Sequence, residues 1–363
     1  MSLFEKIIPL ILPKNQVIKT DLVPMDEIEE IYCFSNTAIG DTLFNTPVFR
    51  SLKKHFPNKK LIVVLNPSNY TLFETNPYID EIMIYSGKTK HFFSFLLELK
   101  KRKPKLILLL HSNDPQATSV SVLAGAKYII KIPNDKNKFN IWHTNKIEKP
   151  TLEYTIYQKI RYLNYLGIDI KKDKFNVCME LYLKEEWNNN VEKYLHQVII
   201  GKKLIGFQIG ASNLSRMWFE DKWIELGQKL LVKYPNINII LTGSPNEKEL
   251  TSIVEKGIND KRILNLAGKF NLGEAAALIG KLDLLITPDT GPLHIAAALN
   301  VPTITLYAVM NHIITNPVCN ESIHLYIQKP ITCEPCITRR CKYQKCMLQI
   351  ESDEIITLVD KLI

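Results

Sequence analysis

Asp289, Thr290, Gly291, Pro292 and His294 share one turn within DLLITPDTGPLHIAAALNVPTITL, residues 283–306. Gly291 lets backbone come close to a ligand. Pro292 suits a first helical turn, where its missing N–H costs nothing. A helix that begins this way points unpaired N–H groups forward, and a phosphate is their natural occupant. Apolar runs at 284–287 and 303–306 set the turn at the carboxyl edge of a parallel sheet, where α/β proteins bind ligands. A plain strand–helix–strand crossover accounts for the same residues, so the turn alone leaves both readings open.

Other strand ends carry further chemistry. Gly40 hinges a turn into a helix with Asp41 at or near its N-cap; the carboxylate is either that cap or a base for an acceptor hydroxyl. Residues 208–218 offer small residues, hydroxyls such as Ser212, and Arg216, whose forked donors suit a diphosphate. A solvated surface arginine is the competing reading. Glu247 follows another strand end, placed for ribose hydroxyls or for the first turn of its own helix. Phe270 sits beyond a fourth, where a base edge fits.

Cys333, Cys336, Cys341 and Cys346 crowd four thiols into one stretch. Such density suits a structural Zn or Fe site closed by four thiolates, with Pro335 shaping the first knuckle. The spacing of two, four and four intervening residues is tighter than a zinc ribbon, and free thiols or two disulfides fit it too. Arg339, Arg340, Lys342 and Lys345 make this segment basic: a solvated face, or one that meets a phosphorylated acceptor or membrane. Cys33 and Cys178 lie in apolar surroundings and read as buried thiols.

Strands are expected at 31–35, 61–65, 81–85 and 106–111, then at 204–208, 237–242, 262–264, 284–287 and 303–306. They are continuous apolar runs, as in parallel sheets covered on both faces. Helices are expected at 42–55, 91–102, 116–124, 152–166, 221–233, 247–256 and 272–280. A break near 170–200 separates two Rossmann-like α/β domains facing each other across a cleft. With 363 residues, 46% hydrophobic and 23% charged, the chain suits two globular domains. Its net charge of +9 calls for an anionic partner. Nucleic acid is disfavoured, since no helix-turn-helix, RNP-like or finger pattern is present. The apolar start is preceded by Glu5 and Lys6 and broken by Pro9 and Pro13, unlike a signal peptide. It reads as a helix packed on the protein or an amphipathic anchor. The chain is read as cytoplasmic and reduced.

Taken together, these residues resemble glycosyltransferase family 9, the heptosyltransferase group that builds the inner core of lipopolysaccharide. The likeness lies in Gly40-Asp41 with Thr46-Pro47, Leu52-Lys53 and Phe56-Pro57, and in Gly210-Ala211-Ser212 with Arg216 and Trp218. Gly243 with Glu247 and Asp289 through His294 with Ala296-Ala297 complete it. The resemblance implies a GT-B fold: an acceptor-binding domain over 1–180, a nucleotide-sugar-binding domain over 181–350 with the cysteine segment, and a closing helix over 351–363. It implies inversion at the anomeric carbon, no obligatory catalytic metal, and Asp41 as general base. Thr290, Gly291 and Pro292 fall at the phosphate turn beside Asp289, with Ser212 among the donor contacts. His294 and Arg216 would neutralise the leaving diphosphate, and Phe270 and Glu247 would flank the nucleoside. The implied partners are ADP-heptose or another nucleotide sugar, a phosphorylated lipopolysaccharide core acceptor, and the inner membrane as a peripheral contact. A protein (autotransporter) acceptor and a non-catalytic nucleotide-sugar binder are the alternatives. Arg216 stands where the family often has lysine, and residues 307–318 depart from its pattern. A dinucleotide oxidoreductase is disfavoured, because no G-x-G-x-x-G follows the first strand.

Overall fold

The computed structural model describes residues 3–132, 138–144, 152–170, 175–198, 203–333, 336–337 and 341–363. The chain divides into two compact units, Met1–Glu180 and Leu181–Ile363.

In the first unit, β1 (Glu30–Ser35), β2 (Lys60–Leu65), β3 (Glu81–Ile84), β4 (Leu106–His111) and β5 (Tyr128–Ile130) form a parallel sheet in the order β3-β2-β1-β4-β5. Ile31 through Ser35 and Leu61 through Leu65 are buried without a break, because helices cover both faces. The strand order reverses between β1 and β4, which opens a crevice beyond their carboxyl ends.

The single helix expected over 42–55 is two helices, Ile39–Leu43 and Thr46–His55. Pro47 has no N–H to give to a preceding turn, so the helix restarts there. Asn45 fills the joint. Its carbonyl accepts from Val48 and Phe49, and its Nδ2 donates to Ser35 Oγ at 2.8 Å. Likewise, the stretch expected at 152–166 is helical at Thr155–Ile160 and tightens to a 3₁₀ turn, Arg161–Leu166, before Gly167 at φ +79°. The N-terminal helix Leu3–Ile11 turns Ile8 into the core with Leu12 just beyond it, and leaves Leu10 and Ile11 exposed.

The second unit holds β6 (Lys203–Gln208), β7 (Ile237–Thr242), β8 (Ile263–Asn265), β9 (Leu284–Pro288), β10 (Thr303–Tyr307) and β11 (His324–Gln328), all parallel, in the order β11-β10-β9-β6-β7-β8. Here the order reverses between β6 and β9. Ile355 and Val359 of the closing helix Ser352–Leu362 join Trp223, Leu226 and Leu230 in one core. Both units are Rossmann-like, the pair of domains that makes up a GT-B fold. Among the described residues, no helix is long and apolar enough to cross a membrane.

Cys33 is a buried free thiol whose ionisation burial pushes well up. Cys178 is not. It is half-buried and disulfide-bonded, which departs from the reduced chain expected.

Each unit also buries a neutral histidine. Burial pushes His143 down to about 3, against the pull of Asp114. It pushes His324, bonded to Thr303 Oγ1 at 3.0 Å, down to about 4. An unfolded imidazole takes a proton below about 6.5, whereas these take one only far lower. The stabilisation is therefore complete above about pH 6.5 and declines as pH falls towards those values. By linkage each costs about 2 kcal/mol at pH 5. Thermal melts should drop steeply between pH 7 and 5, with a shallower slope in His324→Asn. Equal slopes would show that His324 is not a source.

Candidate active site

In the first unit the reversal point gathers charged groups around Asp41. The N-cap of the helix Ile39–Leu43 is Ala38, and Asp41 lies in its first turn without capping it. The side chain faces the strand ends instead. Its Oδ2 accepts from Thr37 Oγ1 at 3.1 Å and lies 3.3 Å from His111 Nε2. Burial and the Lys159 charge push His111 down to about 4 despite Asp41, so the ring that faces the carboxylate is neutral.

A bulge sets this contact. Phe34 pairs with Leu109 but Ser35 with His111, so Leu110 is the extra residue in β4. Its carbonyl accepts from the buried Lys159 ammonium. Nearby, Lys131 pairs with Asp114 at 2.7 Å, and Asp114 accepts from Thr118 Oγ1 at 2.7 Å.

In the second unit Arg216 and Asp289 meet at the other reversal point. Arg216 Nη1 donates to the Asp289 carbonyl at 2.8 Å and lies 3.4 Å from its Oδ2. Asp289 is buried, and His294 Nε2 lies 3.9 Å from its Oδ1. Thr290 is the N-cap of the helix Gly291–Ala298; its side chain makes no capping bond, and its Oγ1 sits 3.2 Å from Thr287 Oγ1. Pro292 occupies the first turn. Arg216, Asp289, Thr290, Gly291, Pro292 and His294 therefore form one cluster at a helix start, where Leu293 N–H already donates to the Thr290 carbonyl at 3.2 Å and the Thr290 and Gly291 amides stand at the front. Trp218 anchors the arginine loop, buried edge-to-face on Trp223 at 5.2 Å.

Glu247 stands apart from that cluster. It closes a capping box with Ser244, whose backbone N–H it accepts at 2.5 Å, and lies 3.5 Å from Gln208 Nε2. A Cβ on Gly210 would run into its carboxylate, so the glycine is what lets Glu247 lie over the end of β6. Phe270, half-buried after β8, packs edge-to-face on Tyr194 at 5.6 Å. Ser212 is exposed, beside Asn213. Gly210→Ala should displace Glu247 and raise the KM for a nucleotide donor about 10-fold with kcat little changed, as expected for uniform binding. An unaltered donor KM would confine Glu247 to helix capping.

Cys333, Cys336, Cys341 and Cys346 are free thiols that line one cavity of about 410 Å³ with Val309, Ile331 and Tyr343. Burial pushes Cys346 up, and Cys341 and Cys336 add to this. Among the described residues, no three His, Cys, Asp or Glu side chains are gathered to hold a metal. A Zn or Fe site would need the four thiolates to converge at about 2.3 Å from one ion, and the described residues show no such gathered group. Pro335, Arg339 and Arg340 lie outside the described residues.

The family model for glycosyltransferase family 9 (heptosyltransferase) matches residues 115–347, more than half of the chain. The chain belongs to this family. It is a glycosyltransferase, and the matched span includes the Arg216–Asp289 cluster but begins after Asp41. The chain is similar to lipopolysaccharide heptosyltransferase 3 of Escherichia coli, 26% identical over 89% of this chain and 96% of that one. Among solved structures it is similar to the family 9 glycosyl transferase of Veillonella parvula (TM-score 0.79, 22% identity, 92% and 97% covered). The E. coli ADP-heptose heptosyltransferase II matches at TM-score 0.75, with 19% identity and 92% and 98% covered. The GT-B fold of this family is thus the fold of the chain. His111, Lys159 and the Lys131–Asp114 pair are functional candidates that no motif in the sequence marks.

Proposed function

We propose that this glycosyltransferase moves heptose from ADP-heptose to a lipopolysaccharide inner-core acceptor, with inversion at the anomeric carbon. What carries the reading is the carboxylate of Asp41, held by Thr37 and His111 at the reversal point of the first sheet. The helix start beside Arg216 occupies the same place in the second. In this mechanism Asp41 takes the proton of the acceptor hydroxyl, the oxygen attacks the anomeric carbon, and ADP leaves with its charge met by Arg216, His294 and the first amides at Thr290–Gly291. Residues 1–180 bind the acceptor, residues 181–350 bind the donor, and the helix at 351–363 closes the fold. Phe270 and Glu247 flank the nucleoside, and Ser212 contributes to the donor loop. The chemistry assigned to these groups calls for no metal. Exposed Leu10 and Ile11 on the N-terminal helix suit a peripheral place on the cytoplasmic face of the inner membrane.

The decisive experiment is turnover of ADP-heptose by purified protein with core acceptors, and the anomeric configuration of the product read by NMR. A calorimetric screen of ADP-, GDP- and UDP-sugars should single out the ADP donor. Heptose found on a protein by mass analysis would reassign the acceptor. Tight ADP-sugar binding without any turnover would leave only a binder.

A further inference from the structure

Lys159 has an unusual location. It lies in the last turn of the helix Thr155–Ile160, on the face that carries the buried Ile156 and Ile160, and is itself buried. Taking an ammonium from water is costly, and its contact with the Leu110 carbonyl offsets only part of that cost. Methionine or leucine would fill the same space without penalty, so the amine is retained at a cost to stability. A group held that way next to the residue whose ring faces a candidate catalytic carboxylate is a candidate for function.

The bulge in β4 gives the amine its place. Because Leu110 falls out of register with β1, its carbonyl turns to Lys159 while His111 turns to Asp41. One irregularity thus orients both the carbonyl that holds Lys159 and the ring that faces Asp41. We infer that Lys159 and His111 are positioning residues for Asp41: the His111 ring, 3.3 Å from Oδ2, orients the carboxylate, and the Lys159 ammonium on the Leu110 carbonyl braces the strand end that carries His111 and sets a positive charge there. This rests on the reading of Asp41 as the base.

The groups facing Lys159 are Asp41 from the helix after β1, His111 from β4, and Lys131 beyond β5, itself paired with Asp114. Burial pushes Lys159 down to about 8, Asp41 pulls it back up, and Lys131 adds to the fall. The amine is therefore charged below about pH 8 and neutral above it. Transfer should weaken as pH rises through that value.

Two measurements test this. In the transfer assay, Lys159→Met should cut kcat about 30-fold with donor KM little changed, a share of what a positioned base contributes. It should also lose the alkaline fall, whereas Lys159→Arg moves that fall beyond pH 10. His111→Phe should cut kcat about 10-fold and His111→Gln, which keeps a donor at the same reach, should restore most of it. Independently of turnover, NMR titration of ¹³C-lysine-labelled protein should find the Lys159 amine near 8 in the wild type and lower in Asp41→Asn. Wild-type protein with no transferase activity would defeat the functional reading while the titration still judges the coupling. An active wild type with unaffected variants, or a Lys159 titration indifferent to Asp41→Asn, would overturn the inference.

Discussion

Asp41→Asn is expected to lower kcat by about 10²–10⁴-fold, the range a positioned general base supplies. The donor KM should change little. Asparagine keeps the shape and can still accept from Thr37 Oγ1, now at 3.1 Å from Asp41 Oδ2. It cannot take a proton from an acceptor hydroxyl. Asp41 is also not the cap of its helix, a place taken by Ala38. The substitution therefore removes no capping bond, and the melting temperature should fall little. A large loss of kcat at constant stability is thus the signature of a base. Steady-state kinetics with both substrates varied, alongside a thermal melt, give the answer. Transfer at the wild-type rate in the variant would refute the assignment.

Much of the architecture is written in the apolar runs. LIVVL, ILLLH and INIILT have no polar alternation, so they belong in sheets covered on both faces, and the structure buries them that way. Two strands lack this signal. β5 is only three residues long, and β11 is an edge strand whose Tyr326 is exposed. Propensity over so few residues cannot outweigh tertiary context. The helix start at Asp289–His294 is legible because Pro292 answers the backbone requirement of a first helical turn. The surroundings of Asp41 are less so. The bulge at Leu110 is a property of two paired strands, and no single stretch of sequence encodes a register shift. One clue was present: Lys159 falls between Ile156 and Ile160, where a helical period calls for an apolar residue. The cysteine cluster shows the converse limit. Spacing in sequence gathers the thiols around one cavity, but spacing alone does not set the side-chain directions on which convergence on an ion would depend.

Arg216→Ala should lower kcat/KM for the nucleotide sugar by about 10²–10³-fold, the cost of deleting one donor aimed at charge developing in the transition state. Two losses combine. In the proposed mechanism the departing diphosphate loses its guanidinium, and the Asp289 turn loses its clamp, made by the 2.8 Å bond to its carbonyl and the 3.4 Å ion pair. Asp289 is buried with a side chain only 5% exposed, so an unpaired carboxylate there is expensive. Breaking a buried pair costs about 3–5 kcal/mol in general, and the partial exposure of the arginine places this pair at the low end. Arg216→Lys separates the two effects. A lysine keeps the charge but not the fork, so it can meet the phosphate or the Asp289 carbonyl but not both. It should retain most of the stability and lose about 10-fold in kcat/KM. Calorimetry with ADP, transfer kinetics and melts on the three proteins distinguish the roles. If Arg216→Ala melts lower but binds ADP and turns over like the wild type, the arginine only braces the turn, and the diphosphate must be held by the helix start alone.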